Sequence, residues 1–382
     1  MNRRLRYGMV GGGSGAFFGP VHRRAASLDD MAEFIAGALS STPERSIESG
    51  RELGLSADRN YPTWEAMLEG ELARSEDDRI DFVSIVTPNH THFAIARAFA
   101  EAGFDVVLDK PMTTTLDDAE ELVRAAERAG VVLCVTYTFV GYPMVREARR
   151  IARSGELGAV RRIEASFRQG WLSTRIEAGG QKQASWRTDP ALAGAGALGD
   201  IGVHVEMLAR WITGLTPGQL CAEVSTHVSG RMADDDATVL LRYENGARGL
   251  LVASQVCAGE ECAIDVRVFG ERGGVVWSHD DSNQLIRFHH DGAKQILTRA
   301  GAGASPEAAI GARLPAGHPE GFTAALANVY RGAMLAMRAR RDGQTPEGLA
   351  ADYPSVRDGA DGVRFVHRSL VSAASGGVWV DW

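Results

Sequence analysis

The chain has 382 residues, 45% apolar and 24% charged, which excludes disorder as its main state and makes two domains the expectation. Lys and Arg total 41 against 49 Asp and Glu, a net charge of −8 that argues against a nucleic-acid or anionic-membrane partner. No run of about 18 apolar residues appears, so no transmembrane helix is expected. The basic start passes directly into a strand, without the apolar stretch of a secretory leader. Cys134, Cys221, Cys257 and Cys262 are scattered with no CxxC pair, which points to reduced thiols and a cytoplasmic setting.

Residues 1–140 alternate strand and helix patterns. An apolar run at 5–10 ends in Gly11-Gly12-Gly13, and a helical stretch follows from Val21. Strand 34–39 leads to helix 43–53. The β-branched run 82–86 stops at Thr87-Pro88-Asn89, and helix 93–102, strand 105–108, helix 115–129 and strand 131–135 follow. Short apolar strands alternating with helices imply a parallel sheet covered on both faces. After about residue 150 the pattern changes. Helix 144–153 leads into strand 160–168. Strands 237–243 and 248–255 flank Glu244-Asn245-Gly246-Ala247; 264–269 and 274–278 flank a glycine turn; 285–289 and 295–299 flank Asp291-Gly292. Successive hairpins make an antiparallel sheet. Residues 300–315 read as a loop and 321–340 as a helix.

The expected fold is α/β: a doubly wound parallel sheet over 1–140, then an α+β domain over 141–382 on a large, mainly antiparallel sheet. One face of that second sheet is expected to carry helices and the other to meet a further subunit, giving a homodimer or homotetramer.

Gly11-Gly12-Gly13-Ser14-Gly15-Ala16-Phe17-Phe18-Gly19 lies between the first strand and a helix. Glycines there let backbone approach a pyrophosphate, and a helix N-terminus supplies N–H donors and a favourable dipole. The spacing fits GxGxxG/A as Gly11-x-Gly13-x-x-Ala16, and fits equally a longer loop running to Gly19. Gly11, Gly13, Ser14, Gly15, Ala16, Phe17 and Gly19 are therefore the candidate dinucleotide cradle.

Three later stretches follow in order: Thr87-Pro88-Asn89-His90-Thr91-His92, Asp109-Lys110-Pro111, and Gly196-Ala197-Leu198-Gly199-Asp200-Ile201-Gly202-Val203-His204. With the glycine loop they resemble the glucose–fructose oxidoreductase / inositol dehydrogenase / rhizopine catabolism (Gfo/Idh/MocA) family over essentially the whole chain. The resemblance implies an N-terminal Rossmann domain, a C-terminal antiparallel-sheet domain, and NAD(P)-dependent oxidoreduction of sugars, cyclitols or glycosides. It places Thr87, Pro88, Asn89, Asp109 and Lys110 around the cofactor, His92 closing the loop beneath it, and Trp186-Arg187 bordering nicotinamide and substrate. The chain also departs from the family pattern. Asp109 replaces the usual Glu, and the glycine loop is longer. Met207 and Thr138 stand where an acidic or amide residue and an Asn are common.

Oxidising a secondary alcohol removes the hydroxyl proton as hydride leaves the carbon, so a base must reach that oxygen. If 198–211 is helical, Asp200 and His204 share one face. Asp200 then orients the imidazole or stabilises its cation, and His204 shuttles the proton. Lys110 follows a strand at the carboxyl edge of the parallel sheet, where ligands bind in such folds. Beside a cationic nicotinamide its ammonium loses a proton more readily. Lys110, Asp200 and His204 are the candidate catalytic set; with Tyr142, Gln183 and Arg187 they are the candidate substrate contacts. Neither His90 with His92 nor Asp234-Asp235-Asp236 has a third ligand at suitable local spacing, so no metal is expected.

Strand 34–39 runs into Ser40-Ser41-Thr42-Pro43-Glu44-Arg45 with no carboxylate at its end. Ser40, Ser41 and Arg45 suit a 2′-phosphate, which favours NADP over NAD. The expectation is an NAD(P)-dependent dehydrogenase or reductase of a sugar, glycoside or inositol. Two alternatives stay open: a redox-cycling glycosidase or lyase that retains NAD(H) on the same fold, and a non-catalytic dinucleotide sensor.

Overall fold

A computed structural model describes residues 3–382. The chain forms two compact units. One takes the chain up to Thr113, then Asp117–Tyr137 and Leu326–Ala360; the other takes Thr114–Leu116, Thr138–Ala325 and Asp361–Trp382.

The first unit opens with β1 (Leu5–Gly11), α1 (Phe18–Ser27), β2 (Ala32–Ala38), α2 (Pro43–Glu52), α3 (Trp64–Leu72) and β3 (Phe82–Val86). It continues through α4 (His92–Glu101), β4 (Asp105–Leu108), α5 (Leu116–Ala129) and β5 (Leu133–Val135). The five strands lie in the order β2-β1-β3-β4-β5, all parallel. Met9, Ile85, Val106 and Val107 are wholly buried, because a parallel sheet with helices on both faces has no wet side for a strand to alternate toward. α5 shows the complementary logic: Ala119, Leu122, Ala125 and Ala126 form its buried stripe, Asp117 and Asp118 open its first turn, and Arg128 stands in its last. The strand order reverses between β1 and β3. The carboxyl ends of those strands, Gly11 and Val86, lie side by side in register, which is where an open α/β sheet forms its ligand crevice.

The second unit contains α6 (Pro143–Arg153), β6 (Val160–Arg168), α7 (Lys182–Arg187), α8 (Pro190–Ala193), α9 (Val203–Thr213), β7 (Pro217–Ser225), β8 (Asp236–Tyr243) and β9 (Arg248–Ser254). There follow β10 (Ala263–Gly270), β11 (Gly273–Ser278), β12 (Gln284–His289), β13 (Gln295–Thr298), α10 (Pro306–Ala309), α11 (Phe322–Arg341), α12 (Val356–Ala374) and β14 (Val380–Asp381). From α11 the chain passes into the first unit, and it leaves again within α12.

The nine strands are ordered β13-β12-β11-β10-β6-β9-β8-β7-β14. The three expected hairpins, β8–β9, β10–β11 and β12–β13, are all present. The sheet is not uniformly antiparallel, because β6 and β9 pair in parallel. α6 and α9 pack on one face. The other face stays partly open, with Thr238, Leu240 and Arg242 alternating against buried Val239, Leu241 and Tyr243 along β8.

Two local expectations are corrected. Residues 300–315 are not wholly loop, since Ser305 caps α10 by accepting from the Ala308 N–H. Residues 198–211 are not one α-helix: Leu198–Gly202 is a π turn that runs into α9. The apolar stretch Pro190–Thr213 is long enough to cross a bilayer, but most of it is buried inside the fold.

Candidate active site

In the first unit the site is built from strand ends. Gly11 and Gly12 turn out of β1 with φ of 78° and 74°, a region that favours glycine. The two readings of the glycine loop are now distinguishable. A Cβ on Gly19 would be driven into the backbone of Gly12, so Gly12 and Gly19, rather than Ala16, make the close strand–helix packing. A Cβ on Gly13 would meet the Leu39 carbonyl oxygen at 2.6 Å, and the Gly13 N–H donates to that same oxygen at 3.0 Å. The Ser14 N–H donates to Ser49 Oγ at 3.1 Å. Ser14, Gly15 and Phe17 are exposed just ahead of α1, whereas Gly12, Gly13 and Gly19 are buried. An accessible, side-chain-poor backbone at the positive end of a ten-residue helix fits a dinucleotide pyrophosphate.

Thr87, Pro88 and Asn89 end β3 and carry the chain into α4. His92 is wholly buried. Its Nδ1 lies 2.9 Å from the Pro111 carbonyl oxygen and its Nε2 2.8 Å from that of Thr87. Its ring sits between the Thr87-Pro88-Asn89 turn and the Asp109-Lys110-Pro111 turn, whose Lys110–Pro111 bond is cis, and as a neutral imidazole it donates to one of the two carbonyls and packs against the other. Burial pushes the imidazole pKa below its usual value, with Asp109 opposing.

Asp109 Oδ1 accepts from the Lys110 N–H at 2.9 Å and from Thr136 Oγ1 at 3.0 Å, and so braces the backbone that presents Lys110. His22 Nε2 stands 4.0 Å from the same oxygen. On its other side His22 Nδ1 meets Tyr330 Oη at 2.9 Å, and Tyr330 meets Ser84 Oγ at 2.7 Å. Burial lowers the His22 pKa as well. Tyr330 and Ser84 were not among the expected residues; Tyr330 comes from α11, far along the chain. Ser40, Ser41 and Arg45 follow β2 on its exposed or half-exposed end.

In the second unit the site is held by side chains from distant segments. Arg187 lies over the Trp186 ring at 4.1 Å, bonds the Gln183 side-chain oxygen, and stands 3.5 Å from Asp200 Oδ2. Gln183, Trp186, Arg187 and Asp200 thus form one cluster. Gln255 was not singled out by the sequence; its Nε2 donates to Asp200 Oδ2 at 2.9 Å. The Asp234 carboxylate accepts from the Gly196 N–H at 2.6 Å and the Leu198 N–H at 2.7 Å, anchoring the start of the π turn. Burial raises its pKa and these two bonds oppose that. Asp235 instead accepts from Arg231 and from the His227 and Val228 N–H groups. Among the described residues no group of three His, Cys, Asp or Glu side chains is arranged to hold a metal.

His204, 6% exposed, meets the edge of Phe139 at 4.9 Å. Phe139 also meets His279 edge-on at 5.4 Å and stacks on Tyr142 at 6.4 Å. Tyr142 was expected at the substrate. It is 3% exposed, and its hydroxyl lies 3.1 Å from His279 Nε2. His279 Nδ1 faces the Cys262 carbonyl at 3.2 Å and must donate to it, so Nε2 accepts from Tyr142. Tyr142 and His279 support Phe139 from behind.

A five-stranded parallel sheet with a glycine turn at its reversal point is the architecture of a dinucleotide-binding domain. The model of the oxidoreductase family's NAD-binding Rossmann fold matches residues 5–137, and that of the GFO/IDH/MocA C-terminal domain matches residues 145–276. The uncharacterized oxidoreductase YfiI of Bacillus subtilis is 32% identical over 100% of this chain and 98% of its own length. Among solved structures, an oxidoreductase from Sinorhizobium meliloti is 42% identical with a TM-score of 0.89, covering 99% of each chain. An inositol dehydrogenase homolog from Azotobacter vinelandii, complexed with NADH and myo-inositol, is 37% identical with a TM-score of 0.92, covering 100% of this chain and 98% of its own. The chain belongs to the GFO/IDH/MocA family of NAD-binding oxidoreductases.

Proposed function

We propose that the chain oxidises a secondary alcohol of a sugar, glycoside or inositol, or reduces the corresponding ketone, with Lys110, Asp200 and His204 handling the proton. One observation carries the reading. Each unit presents one part of an alcohol-oxidising set: a lysine held at the carboxyl edge of the parallel sheet by Asp109, and a carboxylate preceding an imidazole at the start of α9.

The bound nicotinamide dinucleotide supplies the hydride acceptor. The residues supply everything else. Lys110 hydrogen-bonds the reacting oxygen, and His204 accepts the hydroxyl proton as the carbonyl forms, with Asp200 stabilising the resulting cation. Trp186 and Arg187 offer an aromatic face and a guanidinium to a polyol. The myo-inositol in the Azotobacter relative supports a cyclic polyol as substrate class.

The carboxylate-free end of β2 supports NADP as the preferred cofactor. The half-apolar open face of the second sheet supports a homodimer or homotetramer, and the four free thiols suit a cytoplasmic enzyme.

The deciding experiment follows reduced-nicotinamide absorbance across sugars, inositols and glycosides with both cofactors. Turnover is expected on at least one cyclic polyol. No absorbance change with any member of the panel, in either direction, would overturn the reading. Sedimentation at micromolar concentration showing only monomer would refute the assembly.

A further inference from the structure

We infer that Gln255 is a positioning residue for Asp200, and that Trp171 and Gln169 fix which end of its carboxamide the carboxylate receives. This rests on the reading of Asp200 as part of the proton-handling pair.

The argument begins with the one parallel pairing in the second sheet. β6 and β9 run side by side in the same direction, with Arg168 opposite Ser254 at the end of the register. Their next residues, Gln169 and Gln255, therefore emerge together at one sheet edge. An antiparallel partner would have sent one of them to the opposite edge. The backbone holds both. The Gln169 N–H donates to the Ser254 carbonyl at 2.8 Å and the Gln255 N–H to that of Asp235 at 2.9 Å, while the Leu172 N–H donates to the Gln255 carbonyl at 3.2 Å.

A carboxamide has a donor end and an acceptor end, and either could face Asp200. Here a donor-only group settles the direction. The Trp171 indole nitrogen can only donate, and it lies 3.1 Å from Gln169 Oε1. Gln169 must keep its oxygen there, because an amide nitrogen would set donor against donor. That oxygen also faces Gln255 Nε2 at 3.4 Å. Gln255 must in turn present its NH2 group, and the same nitrogen reaches Asp200 Oδ2 at 2.9 Å. Gln169 Oε1 accepts from both the indole and Gln255, and the Gln255 NH2 group donates onward to Asp200, so neither amide has a choice of direction. Gln255 is 1% exposed, so water offers it no alternative partner.

An N–H donated to a carboxylate favours its ionised form. Arg187 Nε also stands 3.5 Å from Asp200 Oδ2, and the Asp234 carboxylate holds the backbone at the head of the π turn that carries Asp200. Gln255 adds a neutral donor that keeps Asp200 an acceptor without adding a competing charge. Asp200 then remains anionic while a positive charge develops on His204.

The test titrates Asp200 directly. Protein carrying carboxyl-labelled aspartate is followed by carbon NMR, with Asp200→Asn identifying the resonance. Gln255→Leu is expected to raise the midpoint by about half to one pH unit relative to wild type, the scale of one lost donor. Gln255→Glu, nearly isosteric, should raise it further, because two adjacent carboxylates share a proton. Trp171→Phe, which frees the direction of the amides, should move it up by about a few tenths of a unit. The acid limb of kcat/KM should shift with the NMR midpoint, while the KM for the cofactor stays within about twofold. An Asp200 midpoint unchanged in both Gln255 variants would overturn the inference. The NMR arm needs no turnover, so a panel without a substrate would defeat the proposed reaction and leave this result standing.

Discussion

The two units hold their candidate residues by different means. In the first, they lie at or just past strand ends: Gly11 closes β1, Thr87 follows β3, and Asp109-Lys110 follow β4. The parallel sheet fixes their spacing, and local bonds such as Asp109 to the Lys110 N–H finish the job. In the second unit Asp200 sits on a π turn whose position depends on Asp234 and whose carboxylate depends on Gln255. The first arrangement is a property of the fold class. The second is assembled from segments that tertiary pairing brings together, and there a change far along the sequence can act on the chemistry.

The comparison breaks most sharply if one unit proves dispensable. Lys110→Met and His204→Ala should each lower turnover by about two to four powers of ten, with cofactor binding largely retained. Steady-state kinetics and cofactor fluorescence titration check this, and near-wild-type turnover in both variants would sink the assignment. A matched glycine pair sharpens the contrast. Ala at Gly19 presses on the Gly12 backbone, and Ala at Gly196 presses on the Asp234 carbonyl. Each should cost about 1–3 kcal/mol of stability by overpacking. Gly19→Ala should raise the KM for cofactor about tenfold with kcat kept, whereas Gly196→Ala should lower kcat about tenfold with cofactor KM kept. Identical kinetic signatures would mean the two halves are not separate devices.

The same contrast explains what was legible in the sequence. The parallel strands announced themselves because burial on both faces demands dense apolar, β-branched runs, as in 82–86, where only Ser84 is polar. α3 did not, because it buries Glu71, which pairs with Arg59 at 3.1 Å, and a buried acid erases the apolar stripe. α12 opens with Asp358, Gly359 and Asp361, a loop-like composition, yet Gly359 packs where a Cβ would meet Met112 and Val135 at 2.7 Å. β7 begins Pro217-Gly218 and resembles a turn. Among the candidates, Lys110, Asp200 and His204 could be singled out because motif and spacing carry them. Gln255, Asp234 and Tyr330 could not: their meaning lies in pairing register and in a distant helix, neither of which leaves a local pattern.

A smaller effect concerns acid. Burial lowers the pKa of His22 and His92 in the first unit, and of half-buried His279 in the second. The unfolded values lie near 6.5. A depressed folded value means the stabilising contribution is complete above about pH 6.5 and is lost as pH falls, since the unfolded chain binds the proton first. Asp105 works in the opposite sense. Its pKa is pushed up to about 6 by burial, with Arg340 opposing, so below about pH 6 the folded state gains its proton first. The melting temperature should therefore drop between about pH 7 and 6 and drop less steeply below that. His92→Gln should flatten the first part of the curve. A flat wild-type profile over that range would remove buried neutral histidines as a brace of the first unit.

The smallest expected effect tests whether a strand end alone sets cofactor choice, as the first unit's construction implies. β2 ends at Ala38, and no carboxylate follows until Glu44 in the first turn of α2. An acid at that strand end would accept from the ribose hydroxyls and repel a 2′-phosphate. Here Ser40 and Ser41 offer hydroxyl donors, and the exposed Arg45 offers a guanidinium for a charge-assisted pair. Ser40 is partly engaged already, because its Oγ accepts from the Thr42 N–H at 3.4 Å, but that bond leaves its own proton to give. The ratio of kcat/KM for NADP over NAD should therefore exceed one. Arg45→Ala should lower it about three- to tenfold, the scale of one exposed charged hydrogen bond, and Ser40→Asp should bring it below one. A wild-type ratio well below one, unmoved by either variant, would show that residues away from the strand end select the cofactor. The first unit would then share the second unit's dependence on distant side chains.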